Sequence, residues 1–230
     1  MSDGSIYEGR FKEDIFSKKG IYYFKEGDLY KGDFETDSFE GKGIFYYNDG
    51  DIYDGDFIDD IKEGKGIYYY NNGNIYKGEF KNDKKNRKWI FDWNDGNRHE
   101  GDYNNGKREG RGIIYYIDGD LYEGEFKNNV REGKGICYYG NGGIYEGEYK
   151  NEERKGKGIL YYENEDRFEG EFKNNVREGK GIYYYLNGDI EIGDYMNNIK
   201  KWIHYTITNK GKIVYKQYKL RSKFVKKTIR

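Results

Sequence analysis

Apolar and polar positions alternate with a period of two along most of the chain. In Ile52-Tyr53-Asp54-Gly55-Asp56-Phe57 the order is ring, charge, small, charge, ring. That pattern predicts a half-exposed strand with Tyr53, Gly55 and Phe57 on one face and Asp54 and Asp56 on the other. Gly66-Ile67-Tyr68-Tyr69-Tyr70 predicts a second short strand, with Ile58 to Lys65 as the loop between the two. Asn71-Asn72-Gly73-Asn74 then reads as a tight turn. Each unit is thus a hairpin, and repeating it gives an antiparallel meander.

The repetition is strict. Tyr7, Tyr30, Tyr53, Tyr76, His99, Tyr122, Tyr145, Phe168 and Glu191 follow one another at 23-residue steps without an insertion. Two residues after each start stands a glycine, from Gly9 and Gly32 to Gly193, and two later a ring, from Phe11 and Phe34 to Tyr195. Eleven and thirteen residues after the start six units carry a glycine pair, such as Gly64 and Gly66 or Gly133 and Gly135. The glycine between two rings leaves room for an aromatic side chain to lie across bare backbone. No unit can bury its own rings, so neighbours must stack. About nine units run over residues 5–213, and residues 214–230 form a partial tenth strand and a basic C-terminal cap or tail.

Composition explains why this pattern folds. Hydrophobic residues are only 35% and charged residues 36%, a balance that tends toward disorder. Yet aromatic residues are 19% and Gly numbers 34, with no Pro and no Ala. Such a chain folds around a thin core of rings, in strands rather than helices. The single Cys137 excludes an intrachain disulfide and a multi-Cys zinc site. With no apolar run near ~20 residues and no apolar stretch at the N-terminus, a cytoplasmic location is expected.

Tyr122-Glu123-Gly124-Glu125-Phe126-Lys127-Asn128-Asn129, followed by Arg131-Glu132-Gly133-Lys134-Gly135-Ile136, Tyr139 and Gly142, resembles a MORN repeat (membrane occupation and recognition nexus). The resemblance extends over nearly the whole chain. It implies an elongated, twisted, single-layer antiparallel sheet of tandem 23-residue hairpins, and a non-enzymatic role in scaffolding, dimerisation and the binding of partner segments in an aromatic groove. Members occur in cytoskeletal, ciliary and junctional scaffolds and beside lipid kinase or methyltransferase domains. The family's name also points to lipid.

Two units depart from the pattern. In the fourth, the glycine pair becomes Arg87-Lys88-Trp89, followed by Ile90-Phe91-Asp92-Trp93, and the fifth opens on His99. Either Trp fills the space the glycines left, or Trp89 to His99 is a partner hot spot. In the ninth, Trp202 and His204 take the central glycine positions, as suits a terminal cap. Beyond Asp194 there is no acidic residue, and the preceding chain holds 30 Lys and Arg against 42 Asp and Glu, a net charge of −12. Leu220 and Phe224, at helical spacing, suggest a short C-terminal helix.

Catalytic chemistry is not expected. The Gly-Lys-Gly pairs recur as structural punctuation and form no phosphate loop. His99 and His204 lie far apart in sequence, with no nucleophile in register. Cys137 stands where other units have Tyr, Phe, Ile or Leu and reads as a core residue. Asp49-Gly50-Asp51 is a turn rather than a calcium loop. Paired carboxylates such as Glu123 and Glu125 recur as a solvated face. The acidic body repels nucleic acid.

The expected function is therefore a scaffold that binds a partner helix or extended peptide along an aromatic groove. Its lining is Phe45, Tyr47, Tyr68, Tyr70, Trp89, Phe91, Trp93 and Tyr116. No cofactor or metal is expected. The alternative is a peripheral module on anionic membranes, held by Lys216, Lys219, Arg221, Lys223, Lys226, Lys227 and Arg230, or the targeting portion of an array related to those of lipid kinases. Homodimerisation and a cytoskeletal or inner-membrane-face location stay open.

Overall fold

The structure, a computed structural model, describes residues 4–104, 106–218 and 225–228, and among these it consists of strands and turns without helices. The chain divides into two compact units, Met1–Ile117 and Asp118–Arg230. The first holds β1 (Ile6–Lys12), β2 (Ile15–Tyr23), β3 (Leu29–Glu35), β4 (Ser38–Tyr46), β5 (Ile52–Ile58), β6 (Ile61–Tyr69), β7 (Ile75–Lys81), β8 (Lys84–Asp92), β9 (Arg98–Asn104) and β10 (Lys107–Tyr115). The second holds β11 (Leu121–Lys127), β12 (Val130–Tyr138), β13 (Ile144–Lys150), β14 (Glu153–Tyr161), β15 (Arg167–Lys173), β16 (Val176–Tyr184), β17 (Ile190–Met196), β18 (Ile199–Ile207), β19 (Ile213–Tyr218) and β20 (Val225–Thr228). Within each unit every strand pairs antiparallel with its neighbours in the chain, giving a single-layer meander of tandem hairpins.

The strand facing follows the alternation. In β5, Tyr53, Gly55 and Phe57 are buried while Asp54 is exposed. The starting tyrosine lies along its own strand and covers two glycines. Tyr53 spans Gly55 and, across the pair, Gly66, where an added Cβ would fall inside its ring. Its hydroxyl then donates to the carbonyl of Asp56 at 3.0 Å. Tyr30 does the same to Asp33 at 3.0 Å, and Tyr145 to Glu148 at 3.3 Å. Phe57 meets Tyr53 edge-on at 5.1 Å and also meets Tyr30 of the preceding hairpin at 5.1 Å. The second unit repeats this with Tyr149, which is edge-on to Tyr145 and to Tyr122. The core is thus a chain of T-shaped ring contacts, each worth ~0.5–1.5 kcal/mol beyond burial.

The loop expected over Ile58–Lys65 is instead a two-residue turn, and the second strand begins at Ile61. Asp59 and Asp60 both take left-handed backbone, with φ of 47° and 66°. Asp and Asn tolerate this conformation, so the two residues close a type I′ hairpin without glycine. The remaining residues of the expected loop are strand, interrupted by a bulge at Gly64, whose φ is 75°. There the Asp56 carboxylate accepts the backbone N–H of Lys65 at 3.0 Å.

Neighbouring hairpins are tied at both edges. The Phe39 N–H donates to the Asp60 carboxylate at 2.7 Å, and the Asn71 N–H donates to Asp51 at 2.8 Å. The possible C-terminal helix also needs correction. Residues 219–224, which include Leu220 and Phe224, lie outside the described residues, and Val225–Thr228 is strand β20, paired with β19. The exposed edge of β19 offers a backbone ladder, and Val and Thr favour joining it.

Candidate protein-interaction face

Side chains that share a face with the buried tyrosines, but stand above them, form a row. In the first unit it is continuous: Tyr22 to Phe24 at 4.7 Å, Phe24 to Phe45 at 5.5 Å, and Phe45 to Tyr47 at 4.5 Å. It continues through Tyr47 to Tyr68 at 5.8 Å, Tyr68 to Tyr70 at 4.7 Å, Tyr70 to Phe91 at 5.9 Å, and Phe91 to Trp93 at 4.9 Å. Tyr116 holds the corresponding place in the fifth hairpin, and these rings are all half-buried.

Trp89, expected in that row, is not part of its open surface. It is 5% exposed, with ring centroids 3.7 Å from Tyr76 and 3.8 Å from Tyr103. Its Cβ stands against Gly78, where other hairpins bring the Cα of the paired glycine, and the Tyr76 hydroxyl still covers that glycine. The indole is large enough to replace the packing that the missing glycine permits elsewhere, so the core claims it. Trp93, four residues on, stays half-buried at the end of the row, with the Arg108 guanidinium 5.9 Å from its ring centroid.

The sequence reading overlooked a column of cations. Nine residues after each start stand Phe16, Phe39, Lys62, Lys85, Arg108, Arg131, Arg154, Arg177 and Lys200. The two phenylalanines stack flat on Tyr7 and Tyr30, at 4.0 and 3.8 Å. From the third hairpin onward a cation takes that place. Lys85 Nζ lies 4.7 Å from the Tyr76 centroid, and within 6 Å of Tyr68, Tyr70, Trp89 and Phe91 as well. It donates to the Tyr70 hydroxyl. Burial pushes its ammonium down to about 8, with Asp51 pulling against the shift and Lys62 adding to it. The switch from Phe to Lys or Arg at a fixed place in the repeat was the available signal.

The ninth hairpin replaces the ring by an ion network. Glu191 is 1% exposed, takes bonds from Lys200 Nζ at 2.6 Å and the Tyr185 hydroxyl at 2.5 Å, and has His204 Nδ1 3.0 Å from its other oxygen. Burial alone would push this carboxyl up, but His204, Lys200 and Tyr185 outweigh it and hold Glu191 at about 2. Glu191 and His204 therefore substitute jointly for the ring and the glycine of an ordinary repeat. His99 is fully buried, and burial, aided by Arg108, pushes it down to about 3. Cys137 is buried as its position implied, and burial pushes its thiol up.

Of the basic residues proposed for a membrane, Lys216 is half-buried on β19 opposite His204, and Lys226 and Lys227 stand on β20. Lys219, Arg221, Lys223 and Arg230 lie outside the described residues. No helix among the described residues is long and apolar enough to cross a membrane.

The MORN repeat model matches eight consecutive segments, from 7–29 through 168–190. The chain belongs to the MORN repeat family. The ninth hairpin, β17 and β18, continues from the last matched residue, 190, and keeps the same antiparallel pairing. No curated protein matches this chain. Among solved structures, it is similar to the wild-type TCP10 domain of Danio rerio CPAP in complex with a peptide of Danio rerio STIL. The identity is 10%, the TM-score is 0.58, and the match covers 98% of this chain and 100% of that one. The TCP10 domain without peptide matches at 10% identity and TM-score 0.52, covering 91% and 99%. The G-box domain of the microcephaly protein CPAP, for which a role in centriole elongation is suggested, matches at 11% identity and TM-score 0.50, covering 87% and 99%. At such identities the likeness is one of fold.

Proposed function

We propose that this MORN-repeat chain is a non-enzymatic scaffold that captures a helix or extended peptide of a protein partner along the ring row of its first unit. The observation that carries this reading is the unbroken line of half-buried rings from Phe45 to Trp93. Rings that only completed a core would be covered as Tyr53 and Tyr76 are. An apolar partner segment laid on the row would bury them further, and aromatic anchors dominate such interfaces. A domain of the same fold is described with a peptide bound, which supports the reading. A suggested centriolar role for another makes cytoskeletal proteins the first class of partner to examine.

The test is affinity purification with the wild-type chain and with Tyr47→Ser/Trp93→Ser, followed by reconstitution of the recovered segment as a synthetic peptide. The peptide should bind the wild type and lose at least about tenfold in affinity to the variant, since two anchors are removed. Equal binding to both would reject the row as the site.

A further inference from the structure

The second unit presents a different chemistry on the same face. Where the first unit places Tyr22, Phe45, Tyr68, Phe91 and Ile114, the second has Cys137, Leu160 and Tyr183, a row in which two of the rings give way to smaller side chains. Where the first begins with Phe16 and Phe39, the second has Arg131, Arg154, Arg177 and Lys200. Each arginine lies over the buried rings: Arg154 is 5.3 Å from Tyr145 and 5.6 Å from Phe172, and Arg177 is 5.3 Å from Phe168 and 5.0 Å from Tyr195. All four cations are half-buried.

Their partners are not equivalent. Arg131 has a carboxylate: Glu152 accepts its backbone N–H at 2.7 Å and its Nε at 2.6 Å. Lys200 has Glu191. Twenty-one residues after Arg154 and Arg177, where Arg131 finds Glu152, stand Asn175 and Asn198. They accept the same backbone bonds, at 2.9 and 2.8 Å, but bring no charge. The side chain of Arg154 donates to the Asn175 carbonyl at 2.6 Å and the Tyr139 hydroxyl at 3.4 Å. That of Arg177 donates to the Asn198 carbonyl at 3.0 Å and side-chain oxygen at 3.4 Å, and to the Tyr162 hydroxyl at 3.3 Å. All of these acceptors are neutral. Asp166, the nearby acid on this face, has its carboxylate engaged by Tyr183 at 2.9 Å, the Leu186 N–H at 2.8 Å and Asn164 at 3.0 Å. A half-buried guanidinium with neutral partners has given up hydration without gaining a counter-charge. Two such groups stand in successive hairpins.

We propose that the ring face of the second unit binds an acidic helix, with Arg154 and Arg177 each receiving a carboxylate and Leu160, Tyr162 and Tyr183 taking the apolar side chains between. The two arginines are one hairpin apart, about 9.6 Å at the usual strand spacing. Carboxylates seven residues apart on one helical face are separated by about 10.5 Å, a close match. An arginine fork recognises a carboxylate in two parallel bonds, which makes the contact directional as well as charged.

This inference rests on the ring face being the partner-binding face, and the probe is chosen to separate the two claims. The probe is a fluorescent amphipathic helix with Leu anchors and Glu at every seventh position, compared with the same peptide carrying Gln, on the full chain at two salt concentrations. The Glu peptide should bind about tenfold or more tightly, and more so at low salt. Arg154→Gln/Arg177→Gln should erase that preference. Lys157→Gln/Lys180→Gln, which removes the same charge from exposed positions, should leave it within about threefold. Arg154→Lys/Arg177→Lys keeps the charge without the fork and should retain part of the preference, which covers the case in which the Gln variant fails a thermal-melt check. Equal affinity for Glu and Gln peptides overturns the acidic assignment while leaving the ring face as a binding face. Absence of binding by both overturns the two together. Competition by inorganic polyphosphate at lower concentration than the Glu peptide overturns the choice of a protein ligand.

Discussion

The ring of Tyr122 lies across Gly135 of the paired strand as closely as across Gly124 of its own, and its hydroxyl reaches the Glu125 carbonyl at 3.2 Å. A Cβ at either glycine would fall inside the phenol, and at Gly124 it would also press on the Cα of Gly135. The backbone there is ordinary strand, so the requirement is steric. Gly124→Val should therefore cost on the order of 3 kcal/mol, at the upper end of overpacking penalties. Glu123→Val, on the exposed face, should stay within about 0.5 kcal/mol. Urea unfolding of both variants checks this, and equal losses would contradict the facing of β11.

Trp89 and Trp93 are four residues apart and should behave oppositely. Trp89→Ala removes a buried indole between Tyr76 and Tyr103 and should cost roughly 3–5 kcal/mol. Trp93→Ala removes a half-buried ring at the end of the row and should cost about 1 kcal/mol or less in folding. Partner binding should nonetheless fall. Parallel thermal melts and binding titrations separate the two roles. If Trp93→Ala destabilised as much as Trp89→Ala, the row would be core rather than surface.

This pair also marks what was legible in the sequence. The 23-residue clock carried the hairpins, the facing of Tyr53, Gly55 and Phe57, and the row from Phe45 to Trp93. It could not show that Trp89 turns inward, because register says which face a residue shares and not how deep it sits. The turn at Asp59 and Asp60 was hidden because two acids read as generic loop. Their left-handed backbone becomes apparent only once Ile58 and Ile61 are seen to pair. The cation column was legible but unread: Lys and Arg looked like surface charge, whereas they stand on rings where Phe16 and Phe39 stood.

Acid should weaken the two units in different ranges. His99 is held neutral in the fold, at about 3 against an ordinary 6.5. The unfolded chain takes up that proton first, so stability is full above pH 6.5 and falls as pH drops toward 3, by at most ~1.4 kcal/mol per pH unit. Glu191 is held ionised at about 2 against 4.5, so its contribution is present above pH 4.5 and is lost between 4.5 and 2. His99→Tyr restores the usual ring over Gly101 and Gly112 and should flatten the upper window only. Glu191→Tyr with His204→Gly restores the repeat in the ninth hairpin and should flatten the lower one. Urea midpoints between pH 7.5 and 3 read both effects. A wild-type profile flat from pH 6.5 to 4.5 would reject the neutral His99.

Trp202 carries a cost that the repeat identifies. It stands eleven residues after Glu191, where six other hairpins place a glycine in left-handed backbone, such as Gly133 with φ of 76° and Gly156 with φ of 74°. Trp202 adopts the same conformation, with φ of 53°, although a bulky L-residue there is strained by about 1–3 kcal/mol. Burial does not offset this, because the indole is 64% exposed. Trp202→Gly should therefore stabilise the fold, by about 1 kcal/mol after the added freedom of the unfolded chain is counted. A higher urea midpoint with an unchanged slope is the expected result. A lower midpoint would mean that the indole packs in solution on something that outweighs the strain, and would make Trp202 a contact residue rather than a tolerated substitution.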